Sequence, residues 1–96
     1  MMYSITILRV EDYPKWKDNF DSEESKDARR AVGEESYQIF RTVDDPNTFV
    51  LLNEWEDEEK ARGFLKSENL RELQQHSGVL GEPDMYLFGE VEKGSI

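Results

Sequence analysis

His76 is the single histidine in 96 residues, and no other side chain here has an ordinary pKa suited to proton transfer near neutrality. It stands just before Ser77-Gly78, a place that also suits the negative end of a helix dipole. Asn53 lies between Leu52 and Trp55 on an otherwise apolar stretch. A buried amide there needs hydrogen-bond partners and is able to orient a substrate oxygen. Trp55 offers a flat surface to a planar substrate, or else a large core side chain. Arg9, Arg41, Tyr37 and Tyr86 complete the set, because a guanidinium stabilises an oxygen anion and a phenol hydroxyl donates a hydrogen bond or a proton. The catalytic candidates are Asn53, Arg41 and His76; the substrate-binding candidates are Tyr37, Trp55, Tyr86 and Arg9.

Composition removes several other chemistries. The chain has no cysteine, which excludes thiol nucleophiles, disulfides and sulfur-ligated metals. The acidic run Glu54, Glu56, Asp57, Glu58 and Glu59 lacks the glycine turn and ligand spacing of a calcium loop, and helix capping accounts for it. No metal and no cofactor are expected. Twenty-two acidic against twelve basic residues give a formal charge of -10. Such a surface repels nucleic acid and anionic lipid, and it suits a solubilising exterior or a salt-rich environment. No apolar stretch approaches the ~20 residues that span a bilayer, and the N-terminus lacks a basic region with a cleavage site. A cytoplasmic protein of one domain, residues 1–96, is the expectation. Its core is modest for a monomer, and a partner chain relieves that limit.

The candidate residues need a scaffold, which the residue patterns supply. Tyr3 to Val10 alternates as a strand does. Glu11-Asp12-Tyr13-Pro14 then starts a helix, with Asp12 or Tyr13 at the cap and Pro14 in the first turn. Tyr13, Trp16, Phe20, Ala28 and Ala31 form its apolar face, with a kink or frayed turn expected between Asp21 and Lys26. Arg29 and Arg30 favour its C-terminal dipole, and Gly33 ends it. Ser36 to Val43 and Thr48 to Trp55 flank the turn residues Asp44-Asp45-Pro46-Asn47 as a hairpin. Asp57 caps the next helix, whose buried stripe is Ala61, Phe64 and Leu65. The apolar phase then shifts to Leu70 and Leu73, with Asn69 and Glu72 spaced as a capping box, so two short helices are expected. Gly78 and Gly81 end that region, Asp84 to Glu92 reads as the fourth strand, and the tail from Gly94 frays.

The order β-α-β-β-α-β predicts a ferredoxin-like α+β fold, a four-stranded antiparallel sheet with helices on one face. Alternation within the strands is incomplete: Leu51 and Leu52, Ile39 and Phe40, and Leu87 and Phe88 place large apolar side chains on both faces. Helices cover only one of them. The other is expected to be buried by a second copy, sheet against sheet, in a homodimer. Tyr37 and Arg41 share a face, as do Asn53 and Trp55, but sequence does not say which face looks into a pocket.

With the segment LLNEWEDEEKARGFLKSENL and the element order in hand, the chain resembles the dimeric α+β barrel superfamily, in particular the antibiotic-biosynthesis-monooxygenase-like domains. VEDYPKWKDNF, IFRTVDDPN and GVLGEPDMY extend the resemblance over nearly the full length. It implies two sheets meeting as a barrel, helices outside, and a pocket in each protomer. Members include cofactor-independent monooxygenases of phenolic or quinol substrates, haem-degrading enzymes, and domains with no assigned activity. The resemblance places Glu two residues before the strand-three Trp and His on the following helix, where this chain has Asn53 and Phe64. A haem-degrading member carries Asn, Trp and an iron-ligating His where Leu8, Phe64 and Gln74 stand here, and His76, two residues further on, points about 200° away around a helix. Two functions follow from the resemblance. One is cofactor-independent oxygenation of an aromatic substrate, with Asn53 and Arg41 orienting oxygens, Trp55 and Tyr37 contacting the ring, and His76 or a Tyr moving protons. The other is a non-catalytic dimeric domain that binds a small aromatic ligand or serves as an accessory domain.

Overall fold

The computed structural model describes residues 2–96, and every statement of absence below concerns those residues. Eight elements follow in chain order: β1 (Met2–Arg9), α1 (Tyr13–Phe20), α2 (Glu23–Ala31), β2 (Glu34–Arg41), β3 (Thr48–Trp55), α3 (Glu58–Leu65), α4 (Glu68–His76) and β4 (Asp84–Gly89). The strands form one antiparallel sheet in the order β2-β3-β1-β4, the ferredoxin-like topology.

Register sorts the strand side chains into two sets. Ser4, Thr6 and Leu8 pair with Asn53, Leu51 and Phe49, and this face carries the helices and the core. Tyr3, Ile5 and Ile7 pair with Glu54, Leu52 and Val50 on the opposite face. Phe40, Tyr86 and Phe88 join that second face and stay exposed, Phe40 at 56%.

The core divides into two buried clusters. Leu8, Val10, Trp16, Phe20 and Phe49 pack α1 onto β1 and β3, with Trp16 stacked on Phe20 at 4.8 Å and tilted against Phe49 at 4.5 Å between ring centroids. Trp55, Ala61 and Phe64 fix α3 at the other end of β3, with Leu70 and Leu87 packed against them.

Several boundaries differ from the sequence expectation for identifiable reasons. The first helical segment is two helices, broken at Asp21 and Ser22 rather than loosened through Lys26. The Ser22 hydroxyl accepts the Ser25 N–H at 3.2 Å, and Glu23 and Glu24 occupy the positive first turn of α2, so that turn is well capped. The new phase buries Ser25 and Arg29 and leaves Ala31 exposed. Helix α4 starts from Ser67, whose hydroxyl accepts the Leu70 N–H at 3.1 Å, so Asn69 lies inside the helix instead of capping it. Asp57 caps α3 as read, accepting the Glu59 N–H at 2.8 Å. Strand β2 begins two residues earlier than expected, at Glu34, with a register shift between Glu34 and Ser36. Gly33, at φ +88, makes the left-handed turn that delivers Glu34 to the sheet, and its carbonyl accepts the Glu56 N–H at 2.9 Å. Strand β4 stops at Gly89, and Val10 leaves β1 to form an isolated bridge with Val79.

Candidate functional site

A cavity of about 550 Å³ separates the two core clusters on the helix side of the sheet. Thr6, Leu8, Leu51, Asn53, Trp55 and Met85 form its floor; Trp16, Phe20, Ser25 and Arg29 come from α1 and α2. Phe64 and Leu65 of α3, with Leu70, Leu73 and His76 of α4, line the opposite side. The polar groups of the lining include two sets, Asn69, Glu72, Gln74 and His76 along α4, and Arg29, Glu34 and Asn53 where α2 meets β2 and β3.

The second set belongs to one continuous buried series. The Trp55 indole N–H donates to the Ser4 hydroxyl at 2.8 Å, and Ser4 donates in turn to the Asn53 carbonyl oxygen at 3.2 Å. Because Ser4 spends its proton on Oδ1, the Asn53 amide is orientated with Nδ2 toward Glu34, donating to Oε1 at 2.8 Å. Glu34 Oε2 lies 3.4 Å from Arg29 Nη1, and both side chains are more than nine-tenths buried. Arg29 also donates from Nη2 to the Phe20 carbonyl at 2.9 Å and from Nε to the Ser25 carbonyl at 3.3 Å. Its guanidinium lies 3.7 Å from the centre of the Phe20 ring. One atom of the series, Arg29 Nη1, makes no hydrogen bond.

Burial outweighs attraction within the pair. Desolvation pushes the Glu34 carboxyl above its ordinary value of 4.5, against the opposing pull of Arg29 and the Asn53 hydrogen bond. Desolvation likewise lowers Arg29, against Glu34. A carboxyl raised on folding binds its proton more tightly in the native state. Its contribution is therefore full below 4.5 and is lost as pH rises through the folded value, so Glu34 favours the fold more in mild acid than at neutrality.

The sequence model of antibiotic biosynthesis monooxygenases matches residues 15–76, well over half of the chain. The chain belongs to the antibiotic biosynthesis monooxygenase family. Solved structures agree on the fold across the whole domain. SnoaB, a cofactor-independent oxygenase from Streptomyces nogalater, superposes with a TM-score of 0.67 at 14% identity, covering 96% of this chain and 94% of its own. A Nitrosomonas europaea protein assigned to the same family gives 0.66 at 16% identity, over 96% and 100%. A variant of MhuD holding two manganese protoporphyrin IX molecules per active site gives 0.66 at 15%, over 99% of each chain. No curated protein matches the sequence significantly.

Within this family member the candidate residues separate. Asn53, Trp55 and His76 line the cavity, with Asn53 and Trp55 buried at its floor and His76 exposed on the last turn of α4. Arg41, Tyr37, Arg9 and Tyr86 lie outside it. Tyr37 and Arg41 do share the face of Asn53, but β2 is the sheet edge: Tyr37 packs edge-on against Phe20 at 4.8 Å, and the Arg41 guanidinium sits 4.9 Å from the Tyr13 ring. Arg9 and Tyr86 fall on the opposite face by strand alternation, Tyr86 opposite Ile5.

Two residues of the site, Arg29 and Glu34, escape the sequence reading. Arg29 passes there as one of two dipole-favouring arginines at a helix end. The available signal was Asn53 itself, since an amide on an apolar strand requires a polar neighbour. The family resemblance places a glutamate at that position; here β2 supplies the carboxylate, 2.8 Å from the amide. Among the described residues no group of three or more His, Asp or Glu side chains is arranged to hold a metal ion.

Removing one buried charge strands the other. Arg29→Met should lower the unfolding free energy by about 3–5 kcal/mol, measured by urea denaturation at neutral pH. Arg29→Met with Glu34→Gln should recover part of that loss, because glutamine keeps an acceptor for Asn53 and carries no charge. A double variant as unstable as the sum of the two single variants contradicts this account.

Proposed function

We propose that the domain is a cofactor-independent oxygenase acting on a small planar phenol or quinol held in this cavity. The observation that carries the reading is the cavity's make-up: aromatic and aliphatic side chains from α1, α3 and the sheet stand beside a buried hydrogen-bonded series at Asn53, Glu34 and Arg29. Trp16, Phe20, Trp55 and Phe64 supply ring contacts, and Asn53 fixes the polar end. His76 stands exposed at the rim, on the last turn of α4. Family membership and the fold shared with a cofactor-independent oxygenase support the same reading.

The reaction balances with dioxygen as the sole co-reactant. A phenol loses its hydroxyl proton, and the electron-rich ring passes electrons to dioxygen directly. One oxygen atom replaces hydrogen on a ring carbon, giving a quinone carbonyl, and the second leaves as water with the two hydrogens released. The protein's part is to hold the ring, stabilise the anion and exclude bulk water. Haem chemistry fits this chain less well, since Leu8, Phe64 and Gln74 occupy the positions where the resemblance calls for Asn, Trp and an iron ligand.

A second reading, a domain that binds an aromatic ligand without turning it over, draws on Asn53, whose amide oxygen and one amide N–H are already engaged by Ser4 and Glu34. Dioxygen consumption separates the two. With a panel of quinols and naphthols, uptake should depend on the cavity: Leu73→Trp, which fills it, should reduce the rate at least about tenfold, while Arg41→Ala should leave it within about twofold. No uptake with any substrate favours the binding reading. Uptake lost in Arg41→Ala and kept in Leu73→Trp refutes the choice of cavity.

The functional unit in this proposal is a homodimer joined through the open sheet face. Ile7, Phe40, Tyr86 and Phe88 are exposed together there, a grouping unusual on a soluble monomer. Sedimentation equilibrium at micromolar concentration should return twice the chain mass, and Phe40→Lys should shift it toward the monomer. An intact monomer of the unaltered protein refutes the dimer.

A further inference from the structure

Arg29 Nη1 and Glu34 Oε2 stand out because each is left over from an otherwise filled set of hydrogen bonds. Arg29 spends Nη2 and Nε on main-chain carbonyls, and Nη1 has no partner. Glu34 spends Oε1 on Asn53, and Oε2 has only the 3.4 Å contact with Nη1. A buried donor without a partner carries a substantial desolvation penalty, so the site calls for an oxygen atom. Both residues line the cavity.

We propose that Arg29 and Glu34 form a two-point site for a single hydroxyl group on an aromatic ring, with Nη1 donating to its oxygen and Oε2 accepting its hydrogen. The assignment rests on the oxygenase reading above and names the part of the substrate recognised. A carboxylate brings a second negative charge against Glu34, and an ammonium brings a second positive charge against Arg29. A hydroxyl is uncharged and both accepts and donates at one atom, and one oxygen can lie within ordinary hydrogen-bond distance of two atoms 3.4 Å apart. Phe20, stacked under the guanidinium at 3.7 Å, and Trp55, at the other end of the polar series, border the space a ring would fill.

The same contact gives Glu34 a part in the reaction. As the ligand O–H bond breaks, the proton bonds to Oε2 and the electron pair stays on the ring oxygen, held by Nη1. Burial favours that transfer, because the Glu34 carboxyl already holds protons more tightly than a carboxylate in water. The proton leaves later with the oxygen atom that becomes water. Glu34 is then the general base and Arg29 the anion holder, while Asn53, bonded to Oε1, is a positioning residue that keeps Oε2 turned to the ligand.

Calorimetric titration of the unaltered protein with 1-naphthol, 1-methoxynaphthalene and naphthalene tests this. Naphthol should bind at least roughly tenfold tighter than either of the others, the loss of one charge-assisted hydrogen bond, although it is the least apolar of the three. In Glu34→Gln the preference should collapse: the glutamine oxygen stays with Asn53 and its NH₂ replaces the acceptor by a donor. Equal affinity of the unaltered protein for all three overturns hydroxyl recognition and leaves the aromatic cavity standing. Failure of all three to bind overturns the oxygenase reading and this site together. A naphthol preference that persists in folded Glu34→Gln removes Glu34 from the site. The comparison in the unaltered protein decides the matter even if the variant does not fold.

Discussion

A charged pair taken out of water, Arg29 with Glu34, is the constraint on which this domain turns. Bringing each ion into the interior costs several kcal/mol, and the attraction between them does not return all of it. The fold accommodates the pair by enclosing it in hydrogen bonds from four elements. Main-chain carbonyls of α1 and α2 receive Arg29, Asn53 of β3 holds Glu34, and Ser4 of β1 holds Asn53. Helix α2 is thereby tied to three strands through polar contacts, whereas α1 and α3 dock by aromatic packing.

That division of labour leaves the cavity where it is. The α1 cluster and the α3 cluster grip opposite ends of β3, and the sheet between them carries the small or polar Ser4, Thr6 and Asn53 beside Leu51 and Met85. Volume that side chains would otherwise fill stays open above them. A buried polar series set beside aromatic side chains is also what a ligand with a ring and a single polar substituent requires. The pocket and the buried charges are thus two results of the same residue choices on β1 and β3.

How much of this was legible follows from which forces act locally. Strand β3 was readable from Thr48 to Trp55 because an apolar run ends abruptly at a capping aspartate, and the left-handed turn at Gly33 because glycine marks it. The two apolar faces were readable from adjacent pairs such as Leu51 and Leu52. The break at Ser22 was harder, since serine caps and serine interiors look alike until the next turn is in place. Ser67 displaced Asn69 as a cap by the same ambiguity. Arg29 and Glu34 were not legible at all, because their partnership depends on a left-handed turn and a shifted β2 register bringing them under one roof. Arg41 and Tyr37 show the converse: alternation set their face correctly, and only the strand order reveals that they stand at the sheet's edge, away from the cavity.

The buried series and the cavity beside it depend on Glu34 being a desolvated carboxyl held beside Arg29. Carbon-13 NMR of the glutamate side-chain carboxyls, assigned through the signal missing in Glu34→Gln and followed from acid to neutral pH, reads it directly. The midpoint for Glu34 should lie above the ordinary 4.5 and rise further in Arg29→Met, where the favourable charge is gone and the burial remains. A midpoint at or below that ordinary value, or one unmoved by Arg29→Met, would contradict it.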